Sequence, residues 1–317
     1  MQYRTLGRTG LHVSGISLGS WLTFGVSVDD EATEACMTAA YDAGVNFFDG
    51  AEAYGAGKAE LAMGRVFRKT GWRRDTFIVS SKVIQVGDRP TQRGLSRKHL
   101  VEACDAALQR MGLEYLDLFF CHRPDRTTPL DEIVHTMNEL IGRGKIFYWG
   151  TSEFSATDLH EMYAIAERDH LVGPSMEQTV HSMLARKRVE GELRGLIERR
   201  GLGTTIYSPL AQGVLTGKYN DGVPEDSRMA RRAGQAGLTD ERLPTVRQLT
   251  AIARELGMSM AQLALAWCLK NPHVSTAIVG ATRPEQIHDN AAAADQAEKL
   301  TDDVMQRIDE LLDNRPT

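Results

Sequence analysis

Cysteine is scarce in this sequence. The four cysteines, Cys36, Cys104, Cys121 and Cys268, are far apart and form neither a CxxC pair nor a Cys/His cluster. This spacing argues against a disulfide framework and against a structural zinc site. We therefore expect buried, reduced thiols and no metal site.

The sequence also has no excess of positive charge and no long hydrophobic run. Lys and Arg total 37 against 42 Asp and Glu, a formal net charge of -5. A negative chain without a basic cluster is not expected to bind nucleic acid. No apolar run approaches roughly 18 residues, and no apolar segment follows the N-terminal charges. We expect no membrane insertion and a cytoplasmic location.

What the sequence does have is a regular alternation of short apolar runs and amphipathic stretches, which is typical of parallel βα units. No Pro/Ser-rich linker interrupts it. The pattern predicts an α/β fold, a (β/α)8 TIM barrel in which residues 1–317 form a single domain. The eight predicted strands are Ile16–Leu18, Phe47–Phe48, Phe77–Val79, Leu116–Cys121, Ile146–Trp149, Ser175–Glu177, Thr204–Tyr207 and Thr276–Val279.

Helix boundaries are marked by caps. Ser96 is a predicted N-cap and Gly112 ends the same helix; other predicted helices are 30–43, 130–141 and 259–269. Residues 302–312, capped by Thr301, predict an extra C-terminal helix outside the barrel.

Residues 3–13 predict an N-terminal β-hairpin with Gly7 to Gly10 in its turn, closing the bottom of the barrel. Residues 209–245 break the pattern and predict a long loop, either functional or a disordered insertion.

Chemistry in such barrels lies at the carboxyl ends of the strands. Asp49, Lys82 and His122 follow the second, third and fourth apolar runs, and Tyr54 follows Asp49 in a glycine-punctuated loop. Taken singly, Asp49 could cap a helix, Lys82 could extend to solvent and His122 could be a core residue. Because burying three ionisable groups together is costly unless they pair, their joint occurrence favours a functional site.

Several stretches in order resemble the aldo-keto reductase pattern from about residue 3 to 313. They are FFDGAEAYG, IVSSK, DLFFCHRPD, WGTS, YSPLAQGVLTGKY and GATRPEQIHDN. The branch containing the voltage-gated potassium channel β subunits is especially similar, through CMTAAYDAG, GWRR, RGLSRKH, YWGTS and LALAWCL. The resemblance implies reduction of small aldehydes and ketones with NADPH (NADP+), and it implies a homo-oligomer, a tetramer in this branch.

The resemblance also implies a catalytic tetrad of Asp49, Tyr54, Lys82 and His122. Tyr54 would protonate the carbonyl oxygen, Lys82 would lower the pKa of that phenol, and Asp49 would hold Lys82. His122 would orient and polarise the carbonyl.

A Rossmann site is disfavoured because no GxGxxG follows a strand. The resemblance implies instead an extended cofactor over the barrel mouth. Its implied nicotinamide-side contacts are Ser20, Trp21, Asp49, Ser152, Gln178 and Tyr207. Its implied phosphate- and adenosine-side contacts are Ser208, Leu210, Gln212, Lys218, Arg228, Gly280, Thr282, Gln286 and Asn290.

Three positions bear on the choice of function. Many relatives carry Arg where this chain has Gln286, which bears on the preference for NADPH over NADH. The channel subunits tend to have Arg where this chain has Glu153, and Asn where it has His122. His122 favours a reductase over the alternative, an NADPH-binding redox sensor or channel-associated regulatory module with weak catalysis. We also expect no pore-blocking extension, since Tyr3 already begins the hairpin. A barrel isomerase would fit the fold but leave Tyr54 and Lys82 unexplained.

Overall fold

The computed structural model describes residues 1–225, 227, 230 and 240–316. Eight parallel strands form a closed barrel in the order β10-β3-β4-β5-β6-β7-β8-β9, which confirms the predicted (β/α)8 fold. The barrel strands are β3 (Ile16–Gly19), β4 (Phe47–Asp49), β5 (Ile78–Val83), β6 (Leu116–Cys121), β7 (Ile146–Ser152), β8 (Met176–Val180), β9 (Gly203–Tyr207) and β10 (Thr276–Val279).

Helices surround the barrel, and their caps agree with the sequence. Ser96, Ser259 and Thr301 each accept a hydrogen bond from the first turn of the helix that follows. The helices are α1 (Asp30–Asp42), α2 (Lys58–Thr70), α3 (Arg97–Met111), α4 (Leu130–Gly142), α5 (Ala156–Arg168), α6 (Arg194–Arg200), α7 (Leu243–Glu255), α8 (Met260–Lys270), α9 (Pro284–Ala292) and α10 (Asp302–Leu312). Helix α10 is the predicted extra helix, and it buries Val304 and Ile308.

The N-terminal hairpin closes one end of the barrel. Strands β1 (Tyr3–Thr5) and β2 (His12–Ser14) pair antiparallel, with Thr5 opposite His12. Leu6 and Val13 are fully buried in one cluster with barrel-interior residues such as Phe47 and Met176. The predicted placement of the hairpin is therefore confirmed.

Strand alternation decides which residues face the barrel interior. Along β5, Ile78 belongs to the interior cluster, whereas Val79 and Val83 pack in the cluster that includes the helices. Since successive side chains point to opposite faces, Ser80 and Lys82 face inward with Ile78. The same rule aims Asp49 inward after Phe47, and His122 inward after Phe120.

Several boundaries differ from the sequence prediction, most of them because a strand continues past its predicted end, as β7 does to Ser152 and β8 to Val180. Strand β5 continues to Val83 instead of ending at Val79, because Ser80 and Ser81 pair with β6 although they are polar. The predicted loop of 209–245 contains a 3-10 segment at Ala211–Thr216 and already enters helix α7 at Leu243. Within the described residues, no helix has both the length and the apolar character needed to cross a membrane.

Candidate active site

A buried ion pair lies at the carboxyl end of the barrel. Lys82 Nζ is 2.6 Å from Asp49 Oδ2, and the two side chains are 0% and 3% exposed. Lys82 Nζ also donates to the carbonyl oxygen of Gly50 at 2.7 Å. Asp49 Oδ1 accepts from Ser80 Oγ at 2.8 Å and from Gln178 Nε2 at 3.0 Å. Both charges are thus satisfied by partners, which offsets the cost of removing them from water.

Tyr54 lies beside this pair. Its hydroxyl is 3.3 Å from Lys82 Nζ, so the ammonium donates a hydrogen bond to the phenol oxygen. The ammonium is also 4.9 Å from the centre of the Tyr54 ring. Three of the four predicted tetrad residues are therefore joined by direct polar contacts.

The pKa of Tyr54 departs from the sequence expectation. Burial and the negative charge of Asp49 raise the pKa of the phenol well above its usual value. The pKa of the phenol is therefore not lowered as expected, because burial and the Asp49 carboxylate outweigh the nearby Lys82 ammonium, which is itself paired with Asp49 at 2.6 Å. Burial in turn lowers the pKa of Lys82, against the opposing influence of Asp49. Tyr54 is consequently a protonated donor at neutral pH.

His122 completes the group. Its ring meets the Tyr54 ring edge to face, with 5.5 Å between ring centres. Burial, Lys82 and Arg123 lower the pKa of His122 well below its usual value, so the imidazole is neutral. A neutral imidazole carries one N–H donor and one acceptor. The buried Nδ1 has no hydrogen-bond partner among the described residues.

The side chains implied for the nicotinamide end also converge on the barrel mouth. Ser20 Oγ donates to the backbone oxygen of Asp49 at 2.9 Å, and Gln178 bonds the Asp49 carboxylate. Ser152 and Gln178 are buried partners in the register of β7 and β8. The ring of Trp21, 42% exposed, lies 6.5 Å from that of Tyr54.

Tyr207 ends β9 and is half-buried, with Ile278 and Val180 as its strand partners. Burial and Glu153 raise the pKa of Tyr207 to about 12, so its ring stays neutral. The side chain therefore offers an uncharged aromatic surface at the mouth.

The chain after Tyr207 has a strained backbone. Ser208, Ala211 and Gln212 have φ values of 54°, 45° and 58°, which are uncommon for residues with a side chain. Such strain clusters at ligand-binding segments, which fits the implied role of Ser208, Leu210 and Gln212. Lys218 is exposed on the same segment. Arg228 lies outside the described residues.

The residues implied for the adenosine end surround the start of α9. Gln286 Oε1 accepts from the backbone N–H of Thr282 at 2.8 Å, so its side chain closes the turn before the helix. Gly280 precedes this turn, and Asn290 is buried one helical turn beyond Gln286. The N-cap of α9 is Arg283, whose side chain makes no capping hydrogen bond, and the first helical residue, Pro284, has no N–H. The N–H of Gln286 donates to the Arg283 oxygen at 3.2 Å. The helix start therefore contributes little beyond its dipole toward holding a phosphate.

Sequence reasoning missed two arginines at this mouth. Arg283 is the N-cap of α9, and a basic residue directly before a helix start was the available signal. Arg123 follows His122, and its guanidinium donates to Ser152 Oγ at 2.8 Å. Its position next to a candidate catalytic residue could have identified it.

The structure also accounts for Glu153, which stands where the channel subunits tend to have Arg. Its φ is 59°, and its Oε1 accepts from Val180 N at 2.8 Å and from Thr179 Oγ1 at 3.0 Å. Its Oε2 is 3.7 Å from Arg188. Glu153 therefore links the end of β7 to the end of β8.

Among the described residues, no group of three or more His, Cys, Asp or Glu side chains is arranged to hold a metal ion.

Comparison with known proteins gives a family match and three relatives that share one kind of description. The pattern of the Aldo/keto reductase family matches residues 15–313. A probable voltage-gated potassium channel subunit beta of Arabidopsis thaliana is 46% identical over 321 residues, covering 100% of this chain and 98% of the relative. The protein of the same description from Oryza sativa subsp. japonica is 47% identical with the same coverage. A putative voltage-gated potassium channel subunit beta of Schizosaccharomyces pombe is 44% identical, covering 99% and 94%.

Proposed function

We propose that this chain, which belongs to the aldo/keto reductase family, reduces small aldehydes and ketones with hydride from NADPH. One observation carries the proposal. The Tyr54 hydroxyl is 3.3 Å from Lys82 Nζ and beside the neutral His122 ring, at the open end of a barrel whose other end is closed. A proton donor and a neutral hydrogen-bond donor thus face one point where a carbonyl oxygen can bind.

The residues of the mouth fit a nicotinamide cofactor. Ser152 and Gln178 bring a buried hydroxyl and a buried amide to adjacent strand ends, and Tyr207 ends β9, the strand beside β8. The strained segment from Ser208 and the basic side chain of Arg283 before α9 suit phosphates. NADPH supplies the hydride when it is bound.

Each tetrad residue then has a distinct task. Tyr54 donates its phenolic proton to the carbonyl oxygen as negative charge develops there. Lys82 stabilises the resulting phenolate, since its ammonium already points at that oxygen. Asp49 fixes the ammonium at 2.6 Å, and His122 binds and orients the carbonyl oxygen.

The preference for NADPH over NADH rests on basic side chains. Lys218, Arg228 and Arg283 are candidates for the phosphates, and each charge-assisted contact is worth about 1.5 to 3 kcal/mol. The side chain of Gln286, occupied by the Thr282 backbone, contributes no charge. We expect NADPH to bind more tightly than NADH.

The experiment is oxidation of NADPH with a panel of small aldehydes and ketones, alongside titration of the intrinsic tryptophan fluorescence with NADPH and NADH. We expect turnover of at least one aldehyde and a lower Kd for NADPH. Equal Kd values would contradict the basic phosphate site.

The second candidate is a cofactor-binding module that associates with a channel, alone or as a homo-tetramer. The names of the relatives favour it, since three of them are described as potassium channel β subunits. Tight NADPH binding without turnover of any carbonyl in the panel would favour this module over the reductase.

A further inference from the structure

Arg123 is a charged residue directly after His122 in sequence, and it has no role in the tetrad. It follows His122 directly after β6, and its Nη1 donates to the His122 carbonyl oxygen at 2.6 Å and to Ser152 Oγ at 2.8 Å. Ser152 is fully buried at the end of β7. The exposed Arg123 side chain is therefore folded across the barrel mouth and anchored at two strand ends.

The charge of Arg123 is uncompensated, unlike its neighbours. Lys82 pairs with Asp49 at 2.6 Å, and Arg188 lies 3.3 Å from Glu177 and 3.7 Å from Glu153. Within residues 1–225 and the other described parts of the chain, Arg123 has no carboxylate at ion-pair distance. After burial and Lys82, its charge is the next influence that lowers the pKa of His122, so its field reaches the reaction centre.

We propose that Arg123 binds the carboxylate of an anionic substrate, so that the preferred substrates are short aldehydes or ketones carrying a carboxylate. The inference rests on the proposed reductase function. A guanidinium has five N–H donors in a planar fork, and only Nη1 has contacts within the described residues. The other donors suit a carboxylate, while the carbonyl end of the same molecule lies between Tyr54 and His122.

The test compares 4-oxobutanoate with its methyl ester, two aldehydes that differ in charge at the far end. The quantity is the ratio of kcat/KM for the acid to kcat/KM for the ester, at saturating NADPH. It is measured for the parent, Arg123→Gln and Arg123→Lys. Arg199→Gln is the matched control, since it removes the same charge from an exposed arginine in the last turn of α6.

We expect the parent to prefer the acid and Arg123→Gln to lower the ratio by about 10- to 100-fold, the effect of losing a hydrogen bond to a charged group. Arg123→Lys should keep part of the preference because the charge remains, and Arg199→Gln should leave the ratio within about twofold. An unchanged ratio in Arg123→Gln overturns the proposal. If kcat/KM falls equally for acid and ester, the ratio is also unchanged, and the loss points to the cofactor instead.

If the parent reduces neither aldehyde, the reductase function fails and binding decides the role of Arg123. Calorimetric titration of the NADP+ complex with 4-hydroxybutanoate then replaces the rate. Binding that is at least 10-fold weaker in Arg123→Gln supports the anion site. No binding, or equal binding, overturns it.

Discussion

At the scale of single residues, burial controls the protonation state of the ionisable groups in this barrel. Burial raises the pKa of Tyr54 and, with other charges, lowers that of His122, while Asp49 and Lys82 lie paired at 2.6 Å. A protonated phenol and a neutral imidazole are the forms that carbonyl reduction needs. These protonation states thus suit the proposed proton donation at neutral pH.

His181 is a buried histidine outside the site, and it makes stability depend on pH. It follows β8, its ring stacks on Trp267 with 5.3 Å between ring centres, and Glu190 Oε1 is 3.8 Å from Nε2. Neither ring nitrogen has a hydrogen-bond partner among the described residues. Burial and Arg186 lower the pKa of His181 to about 4.

The folded pKa of His181 is below the unfolded value of about 6.5, so the unfolded chain takes up the proton first. Its contribution to stability is complete above pH 6.5 and declines as the pH falls toward 4. We expect His181→Gln to remove on the order of 3 kcal/mol of this decline at pH 4. Urea denaturation at several pH values measures it, with the exposed His160→Gln as control. Burial also lowers the pKa of His122, so the part of the low-pH loss of stability that comes from His122 remains in both variants. Parallel pH profiles for parent and His181→Gln would contradict the account.

At the scale of elements, the loop after β6 carries both His122 and Arg123, and Asp125 holds it. Asp125 Oδ1 accepts from Thr127 N and Oδ2 accepts from Leu95 N, each at 2.9 Å. Thr128 Oγ1 donates to Oδ2 at 2.6 Å. Although burial opposes ionisation, these hydrogen bonds lower the pKa of Asp125 to about 2. One carboxylate therefore ties the β6 loop to the segment before α3.

We expect Asp125→Ala to lower the free energy of unfolding by about 1 to 3 kcal/mol, because it leaves backbone donors without their acceptor. It should also lower kcat/KM by roughly 10-fold or more, since His122 loses its fixed position. Asp88→Ala is the control, because the exposed Asp88 pairs with Arg93 in a surface contact that is worth little. Full activity in a folded Asp125→Ala variant would show that the loop does not position His122.

Element boundaries also show what the sequence could predict. The run Leu116–Cys121 is apolar except for Asp117, and its strand is predicted residue for residue. The predicted strand β5 is too short because Ser80 and Ser81 resemble residues at a strand end. In the structure, the Ser80 hydroxyl donates a hydrogen bond to Asp49 and the Ser81 hydroxyl donates one to Glu60. Hydrophobic pattern alone does not distinguish a polar strand residue with a buried partner from a loop residue.

The site was predictable in part for a related reason. Asp49, Lys82 and His122 stand at strand ends, and the barrel topology brings such residues together. The direction of the Tyr54 pKa was not predictable, because it depends on how deeply the ring is buried and on how closely Asp49 approaches Lys82. The contact of Arg123 with Ser152 joins the loop after β6 to the end of β7 and leaves no trace in local sequence.

At the scale of the whole molecule, the barrel is closed at one end by the hairpin and carries the tetrad at the other. Arg4 reinforces this closure, donating to the backbone oxygen of Val274 at 2.9 Å just before β10. In the proposed reaction, substrate and cofactor therefore reach the tetrad from the carboxyl end of the strands. The central claim is that the Tyr54 hydroxyl at this end donates the proton in carbonyl reduction.

The most direct measurement is the rate of NADPH-dependent aldehyde reduction by Tyr54→Phe, together with its Kd for NADPH. The substitution removes only the hydroxyl, so the ring still packs and the cofactor contacts remain. Tyr163→Phe is the control, since it removes the same atom on α5, where that hydroxyl donates to the Pro174 oxygen. We predict that Tyr54→Phe lowers kcat/KM by at least about 100-fold while Kd changes by no more than a few-fold. Reduction by Tyr54→Phe at the parent rate would contradict the account.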